Sequence, residues 1–563
     1  MDYKQEIAKC LSACLSACLS EEEACCLLVP PKDIAMGDIC LPCFRLAKTM
    51  RMSPVAIADK LAAELSLPPF VSEVKSVAGY LNFKFSTHDF ASEVLGKVLL
   101  EGEAYGKSRE GEGKTICIDY SSINIAKPFH IGHLSTTVLG AALYRLYKEL
   151  GYQVVGINHL GDWGTQFGKL MVAYHKWSNR AEIEQGGVRK LVEIYVKFHQ
   201  EAEQDPSLDD EARLWFKKLE GGDEEAVSLW KWFKEITLSD DLPIYDRLGV
   251  HFDSYAGESF YNDKMDAVVD ELAAKGLLTL SDGAQIVELD GMPPCIIRKS
   301  DGATLYATRD LAAAFYRKST YDFAKCLYVV AYQQNLHFKQ WFEVVRKMGY
   351  DWYRDLEHVA FGMVSLEEGA MSTRKGNAVW LVDVLDKAVE KAAEIIAVKS
   401  PDLKDAKDVA EMVGVGSVIF SALINNRIKD IEFRYDKILN FDGETCPYVQ
   451  YTHARCASVL AKAGEWSAPA DYSALSDDVA KDLVRDLERY PSLLKEAADK
   501  NEPSMITRHV VDMCKLYNKF YFDNKILSAP QGVREARLAL TQAVKTVMEN
   551  GMRIIGIRLP DKM

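Results

Sequence analysis

Nowhere does the 563-residue sequence run for about 18 apolar residues without a charge, which excludes a hydrophobic membrane-spanning helix. The opening residues, MDYKQEIAKC, lack the basic stretch and continuous apolar core of a secretion signal, so a cytoplasmic location without membrane contact is expected. A surplus of positive charge is also missing. The formal net charge is −14, which argues against coating nucleic acid by bulk electrostatics but leaves room for a local basic face. Although there are 13 cysteines, a C-x-x-C followed by a second pair at finger spacing is absent. Cys40 and Cys43 form one isolated pair, CLPC, while Cys10, Cys14 and Cys18 recur every four positions along one helical stripe. In a reducing compartment free cysteine packs as a small hydrophobe, so buried cysteines are expected rather than metal ligands, and no resident metal site.

What is present is ordinary globular composition, 48% apolar and 27% charged, over a length that calls for two to four domains. Residues 1–112 read as a small α+β module: PVAIADKLAAELS has helical spacing and SVAGYLNFKF alternates like a strand. The Gly-rich, charged YGKSREGEGK links it to the next domain. From residue 115, TICIDY, LSTTVLGAALYRLYKELG and YQVVGINHLG form a strand, a crossover helix and a second strand. CLYVVAYQQ and HVAFGMVSL are expected to complete the parallel sheet, after an insertion over about 180–290 that turns strand-like near AQIVELDG. The fold class is therefore α/β, with a Rossmann-like parallel-sheet domain over 113–395 and an almost wholly helical region over 396–563.

The segment NIAKPFHIGH places His130, Gly132 and His133 where a strand hands over to a helix, the corner at which an open parallel sheet presents unpaired N–H groups to phosphate. Imidazoles there can donate to a triphosphate, and Gly132 leaves room for a flat ring. Downstream, GAMSTRKGN carries Ser372, Thr373, Arg374 and Lys375 on a Gly-bounded loop suited to clamping a pyrophosphate leaving group.

These two segments resemble the HIGH and KMSKS signatures of class I aminoacyl-tRNA synthetases. GINHLGDWGTQFGKL, SDGATLYATRDLAAA, QQNLHFKQ, GETCPYVQYTHAR and NGMRIIGI narrow the resemblance, from about residue 38 onward, to the arginyl-tRNA synthetases. The resemblance implies ligation of L-arginine to tRNA(Arg) through an arginyl-adenylate, with ATP and Mg2+, by a monomeric enzyme. It implies ATP binding by His130, Gly132, His133, Met371, Ser372, Arg374 and Lys375, with His130, His133, Lys127, Arg374 and Lys375 as electrostatic stabilisers of the reaction.

A guanidinium presents five donors and no acceptor, so its pocket requires carboxylates and carbonyl oxygens. Asp119 and Asp310 are suitably placed acids, Tyr306 lies on the same helical face as Asp310, and the resemblance adds Asn124, His133 and Gln334 to the arginine pocket. Tyr448, Tyr451 and Arg455, with Arg508, Lys515 and Asn518, suit unstacked loop bases, and the resemblance implies that they belong to a helical anticodon-binding domain. The N-terminal module is expected at the tRNA elbow.

Departures from the family pattern are specific. Ala370 replaces the first Lys of KMSKS and Thr373 holds its fourth position, leaving Lys127 or Lys375 to supply the missing charge. Ser135 stands where Arg is common, Asp119 where Glu is common, and Ala331 and Tyr332 where a Gly and a small residue are common. Two other functions use parts of the pattern: a nucleotidyltransferase with an H-x-G-H corner, which would need neither the acid pocket nor the long helical end, and a non-catalytic tRNA-binding paralogue, against which the intact His130 to His133 corner stands.

Overall fold

The computed structural model describes every residue except 1–2, 17, 32–35, 301, 303 and 367–378. The chain divides into two compact units, one of Met1–Gly102, Val459–Glu488 and Lys515–Thr546, the other of Glu103–Ser458, Arg489–Cys514 and Val547–Met563. The division falls near residue 102, ahead of the boundary at 112 that the sequence suggests, and it cuts across four of the C-terminal helices.

In the first unit, Ile39–Pro42, Tyr80–Phe85 and Val71–Val77 pair antiparallel in that order. SVAGYLNFKF is thus a hairpin rather than one strand. Ala78 and Gly79, with φ of 48° and 83°, make the turn. Pro54–Glu64 is helical as its periodicity indicates, started by Ser53, whose side chain accepts from the Ala56 N–H. Tyr3, Phe70, Phe85 and Phe90 cluster with centroid separations of 4.7 to 5.5 Å. Asp38 joins the sheet to the helix Asp478–Asp499, accepting from the Phe85 N–H at 2.7 Å and the Arg485 Nε at 2.6 Å.

The second unit is built on a four-stranded parallel sheet in the spatial order Leu356–His358, Lys325–Tyr328, Thr115–Asp119, Gln153–Ile157. Both inner strands are buried on both faces, as a parallel sheet covered by helices requires. HVAFGMVSL contributes only through its start: Val364–Leu366 leaves the sheet and pairs with Ile431–Phe433. The crossover helix Leu134–Glu149 covers one face, so closely that a Cβ on Gly140 would fall 2.3 Å from the Tyr120 side chain. Tyr306–Tyr321 and Asn335–Lys347 belong to an apolar core around Leu311, Phe338 and Trp341. Between the second and third strands lie four long helices, from Gln166–Trp177 to Glu224–Leu248, and a small antiparallel sheet ending at Cys295–Arg298. The inserted material therefore starts earlier and ends later than the 180–290 read from sequence.

Cysteine burial follows the sequence expectation in part. Cys40, Cys43, Cys117, Cys295, Cys326, Cys446, Cys456 and Cys514 are buried, but Cys10, Cys14, Cys18 and Cys25 are half-buried and Cys26 is exposed. The helix Tyr3–Cys14 buries Ile7, Ala8 and Leu11 instead, and these side chains claim the inward face.

Candidate active site

The central strand Thr115–Asp119 lies between strands that run to opposite sides of it in chain order, the switch point at which an open α/β sheet forms a crevice. The backbone leaves this strand under strain. Ser121, Ser122 and Ala126 have φ of 69°, 47° and 55°, three of the eight non-glycine residues with positive φ among those described. Each such conformation costs on the order of 1–3 kcal/mol and persists only where its surroundings over-determine it. Here hydroxyls do so: the Ser121 N–H donates to Thr136 Oγ1 at 3.1 Å, Thr137 Oγ1 donates to Ser121 Oγ at 2.9 Å, and the Ala126 N–H donates to Thr237 Oγ1 at 3.1 Å.

Asn124 sits inside this strained loop, bridged to Gly161, where a Cβ would approach the Asn124 Oδ1 to 2.4 Å. Only glycine lets the GDWG segment pass there. The next residue, Asp162, is wholly buried and accepts from Lys234 Nζ at 2.6 Å and from the Ser259 N–H and Oγ at 2.8 Å each, tying the insertion to the sheet.

His130 and His133 stack with ring centroids 3.9 Å apart. The Gly132 N–H donates to His130 Nδ1 at 3.0 Å and the His130 N–H donates to His133 Nδ1 at 3.2 Å. Because both Nδ1 atoms accept, each neutral ring carries its proton on Nε2 and can donate it to an anion. Burial lowers the pKa of both, His133 to about 3 with His130 adding to the effect, so the rings are neutral donors at physiological pH. Sequence alone leaves their charge state open.

Residues 367–378 lie outside the described residues, and with them Met371, Ser372, Arg374 and Lys375 of the clamp loop, together with Ala370 and Thr373. Its flanks are described. After it, the Ile131 N–H donates to the Val379 carbonyl at 3.1 Å and the Leu381 N–H to the Phe129 carbonyl at 2.9 Å, so the residues that follow the clamp lie directly against the histidine corner.

Around the acids the structure adds partners that spacing does not reveal. Asp119 is committed within the chain, accepting from Arg317 Nη2 at 2.8 Å on Oδ2 and from Ser122 Oγ at 2.7 Å on Oδ1. Arg317 is 1% exposed, also reaches His159 Nδ1 at 3.4 Å, and lies 5.4 Å from the Tyr328 ring centroid. Burial opposes its charge, but Asp119 and the surrounding phenols raise its pKa well above the usual value. Asp310, one helical turn after Tyr306, accepts from His337 Nε2 at 2.6 Å. Glu258 lies 3.4 Å from Arg309, and burial pushes its carboxyl up to about 7 against the pull of Arg309 and Lys127, with Asp162 and Asp310 pushing the same way as burial.

Tyr306 is 67% exposed and shares a cavity of about 450 Å³ with Lys127, Gln166, Lys169, Tyr195 and His199. Gln334 is exposed on the turn Tyr332–Gln334 that precedes Asn335–Lys347. The strands' carboxyl ends thus bring together His130, His133, Lys127, Asn124, Asp119, Tyr306 and Asp310. Sequence reasoning misses His159, Glu258, Arg317 and His337. His159 and His337 lie within the quoted family segments, and Arg317 lies seven residues after Asp310; local spacing alone gives no sign of their partners.

Of the residues expected to face tRNA, Tyr448, Tyr451 and Arg455 share one side of the helix Cys446–Ala463, and the Arg455 guanidinium stands 5.0 Å from the Tyr451 ring centroid. Arg508 donates its Nε to the Ile424 carbonyl at 3.0 Å. Lys515 and Asn518 lie on the same helix as Arg508, Ser504–Asp523, but in the part assigned to the other unit. Near its end Phe522 is 89% exposed, an aromatic that sequence spacing does not single out.

Three family descriptions match in tandem: the arginyl tRNA synthetase N-terminal domain at residues 2–85, the class I (R) tRNA synthetase catalytic domain at 94–435, and the DALR anticodon binding domain at 449–563. The arginine–tRNA ligases of Alkaliphilus metalliredigens and Clostridioides difficile are 51% and 50% identical, over 100% of both chains in each case. The arginyl-tRNA synthetase of Thermus thermophilus superposes with a TM-score of 0.79 at 26% identity, covering 95% of this chain and 96% of that one. That of Plasmodium falciparum shares the fold, with a TM-score of 0.80 at 20% identity over 100% and 99% of the two chains. With full-length identity of this order and all three domains in sequence, the chain belongs to the arginine–tRNA ligases, within the class I aminoacyl-tRNA synthetases.

Proposed function

We propose that this chain charges tRNA(Arg) with L-arginine in two steps at the crevice above Asp119, as a monomeric cytoplasmic enzyme. In the first step an arginine carboxylate oxygen attacks the α-phosphate of ATP, an O–P bond forms, and the bond to pyrophosphate breaks. No proton moves, so the protein's work is positioning and charge stabilisation. The observation that carries this reading is the His130–His133 pair, whose Nδ1 atoms are both occupied by backbone N–H groups. That arrangement leaves two neutral Nε2–H donors at a strand-to-helix corner, suited to triphosphate oxygens, with Lys127 and the clamp residues Arg374 and Lys375 as the cations. Mg2+ suits the reaction as a passenger on the triphosphate, held by phosphate oxygens and water as is usual for this ion.

The arginine side chain is assigned to Asp310, oriented by His337, with Tyr306 on the same helical face. Asn124, His133 and Gln334 are assigned to its α-amino and carboxylate end. Asp119 contributes through its ion pair with Arg317 rather than as an uncompensated carboxylate. In the second step the adenylate passes its arginyl group to a ribose hydroxyl at the tRNA terminus and AMP leaves. Tyr448, Tyr451, Arg455, Arg508, Lys515 and Asn518, joined by Phe522, are assigned to anticodon-loop bases, and the N-terminal module to the elbow.

The residues on either side of the clamp pair with Ile431–Phe433 before it and with Phe129–Ile131 after it, so tRNA docking on the helical region has a direct route to the catalytic corner. Arginine-dependent exchange of pyrophosphate into ATP is expected only with tRNA present. Exchange at full rate in rigorously tRNA-free enzyme would show a corner already assembled.

A further inference from the structure

Within the segment GETCPYVQYTHAR, His453 is buried in the helix Cys446–Ala463 and meets two other elements. Its Nδ1 lies 3.0 Å from the carbonyl of Pro560 in the C-terminal segment, and its Nε2 lies 2.9 Å from Glu549 Oε1 on the helix Val533–Ile555. A carbonyl oxygen only accepts, so Nδ1 carries a hydrogen and Nε2 is the nitrogen open to coordination. This is the arrangement found in metal-binding histidines, where a backbone carbonyl fixes the tautomer and the opposite nitrogen coordinates. Here that nitrogen faces carboxylate oxygens, and Asp561 completes the group: one ligand atom from each of His453, Glu549 and Asp561 lies within 4.8 Å of the others.

Nε2 and a carboxylate oxygen 2.9 Å apart require a proton or a metal ion between them. A proton shared by Nε2 and Oε1 links two of the three groups, whereas a divalent ion held by His453, Glu549 and Asp561 links all three. Metal–nitrogen and metal–oxygen bonds of about 2.0–2.2 Å at ordinary coordination angles put neighbouring ligand atoms about 3 Å apart, as His453 and Glu549 already are. One nitrogen and two carboxylates suit zinc and its borderline neighbours and leave positions for water. We propose that His453, Glu549 and Asp561 bind one such divalent cation, which fastens the C-terminal segment to the helix Cys446–Ala463. Gln450, one turn before His453, already holds the same segment through the Arg558 carbonyl at 2.9 Å. The helix also carries Tyr451 and Arg455, so the ion would fix a tail beside two residues assigned to tRNA.

The test uses the full chain stripped of metal, titrated with Zn2+ by calorimetry and with Co2+ by visible spectroscopy, alongside Glu549→Gln and Asp561→Asn. Asp561 is exposed, so Asp561→Asn is expected to keep the native circular dichroism spectrum and is decisive if Glu549→Gln misfolds. One equivalent is expected to bind with the weak bands of nitrogen and oxygen ligation, and the affinity to fall about tenfold or more in each variant. Binding of equal strength in all three proteins, intense sulfur-to-metal charge-transfer bands alone, or no stoichiometric binding would overturn the proposal, the last leaving a shared proton as the link between His453 and Glu549.

Discussion

Arg317 and Asp119 form a buried ion pair at the end of the central strand, with Nη2 and Oδ2 2.8 Å apart. A protein whose substrate is a guanidinium thus keeps one of its own against one of the two acids the sequence offers for that substrate. Breaking such a pair from one side leaves an uncompensated buried charge and costs about 3–5 kcal/mol, while replacing both partners is far less harmful. Arg317→Met is therefore expected to lower the denaturation midpoint strongly, and Arg317→Met with Asp119→Asn to recover a substantial part of the loss. An unchanged midpoint in the single variant would contradict the pairing.

Asp310 is the residue proposed to face the arginine side chain, and Asp310→Asn keeps its shape but removes its charge. Losing a charge-assisted hydrogen bond costs about 1.5–3 kcal/mol, so KM for arginine is expected to rise about tenfold to a hundredfold while KM for ATP changes little. If arginine kinetics were untouched, Asp310 would serve only to hold His337.

The strands, the crossover helix and the histidine corner are legible in sequence because their signals are local: a β-branched run, a 3.6-residue period, a Gly between two His. Both central acids can be named for the same reason. What cannot be read is who meets whom across the fold. Asp119 and Arg317 lie 198 positions apart and Asp310 and His337 lie 27 apart, on elements whose adjacency depends on the sheet order. The hairpin in SVAGYLNFKF escapes a sequence reading because Ala78 and Gly79 are a weak turn signal inside an otherwise continuous alternation. Gly161 is legible only as part of a family segment; its physical reason, the close passage of Asn124, is tertiary.

Glu258 and His133 pull the pH dependence of stability in opposite directions. The folded state raises Glu258 from 4.5 to about 7, so its contribution is complete below about pH 4.5 and is lost as pH rises through about 7. His133 falls from 6.5 to about 3, so its contribution is present above about 6.5 and is lost as pH falls toward about 3. Activity isolates the first. Ionisation of Glu258 near neutrality adds negative charge close to Asp310 and Lys127, and KM for arginine is expected to fall from about pH 6 to about pH 8. A KM profile in which Glu258→Gln shows the same step would assign it to another group.

Lys127→Ala tests the substitution of one cation for another. With Ala370 at the place of the leading Lys of the clamp, Lys127 is assigned to the pyrophosphate, and losing one preorganised donor slows reactions about a hundredfold or more. Single-turnover formation of arginyl-adenylate is expected to slow by that order with tRNA affinity unchanged. An unaltered rate would move the role to Lys375.

The central claim, that the crevice above Asp119 selects arginine for transfer to tRNA, is tested most directly by aminoacylation of total tRNA with each of the twenty amino acids in turn. Charging is expected with arginine alone, on tRNA(Arg), and with release of one AMP and one pyrophosphate per arginyl-tRNA formed. Charging with any other amino acid at comparable efficiency, or ATP turnover without any arginyl-tRNA, would contradict it.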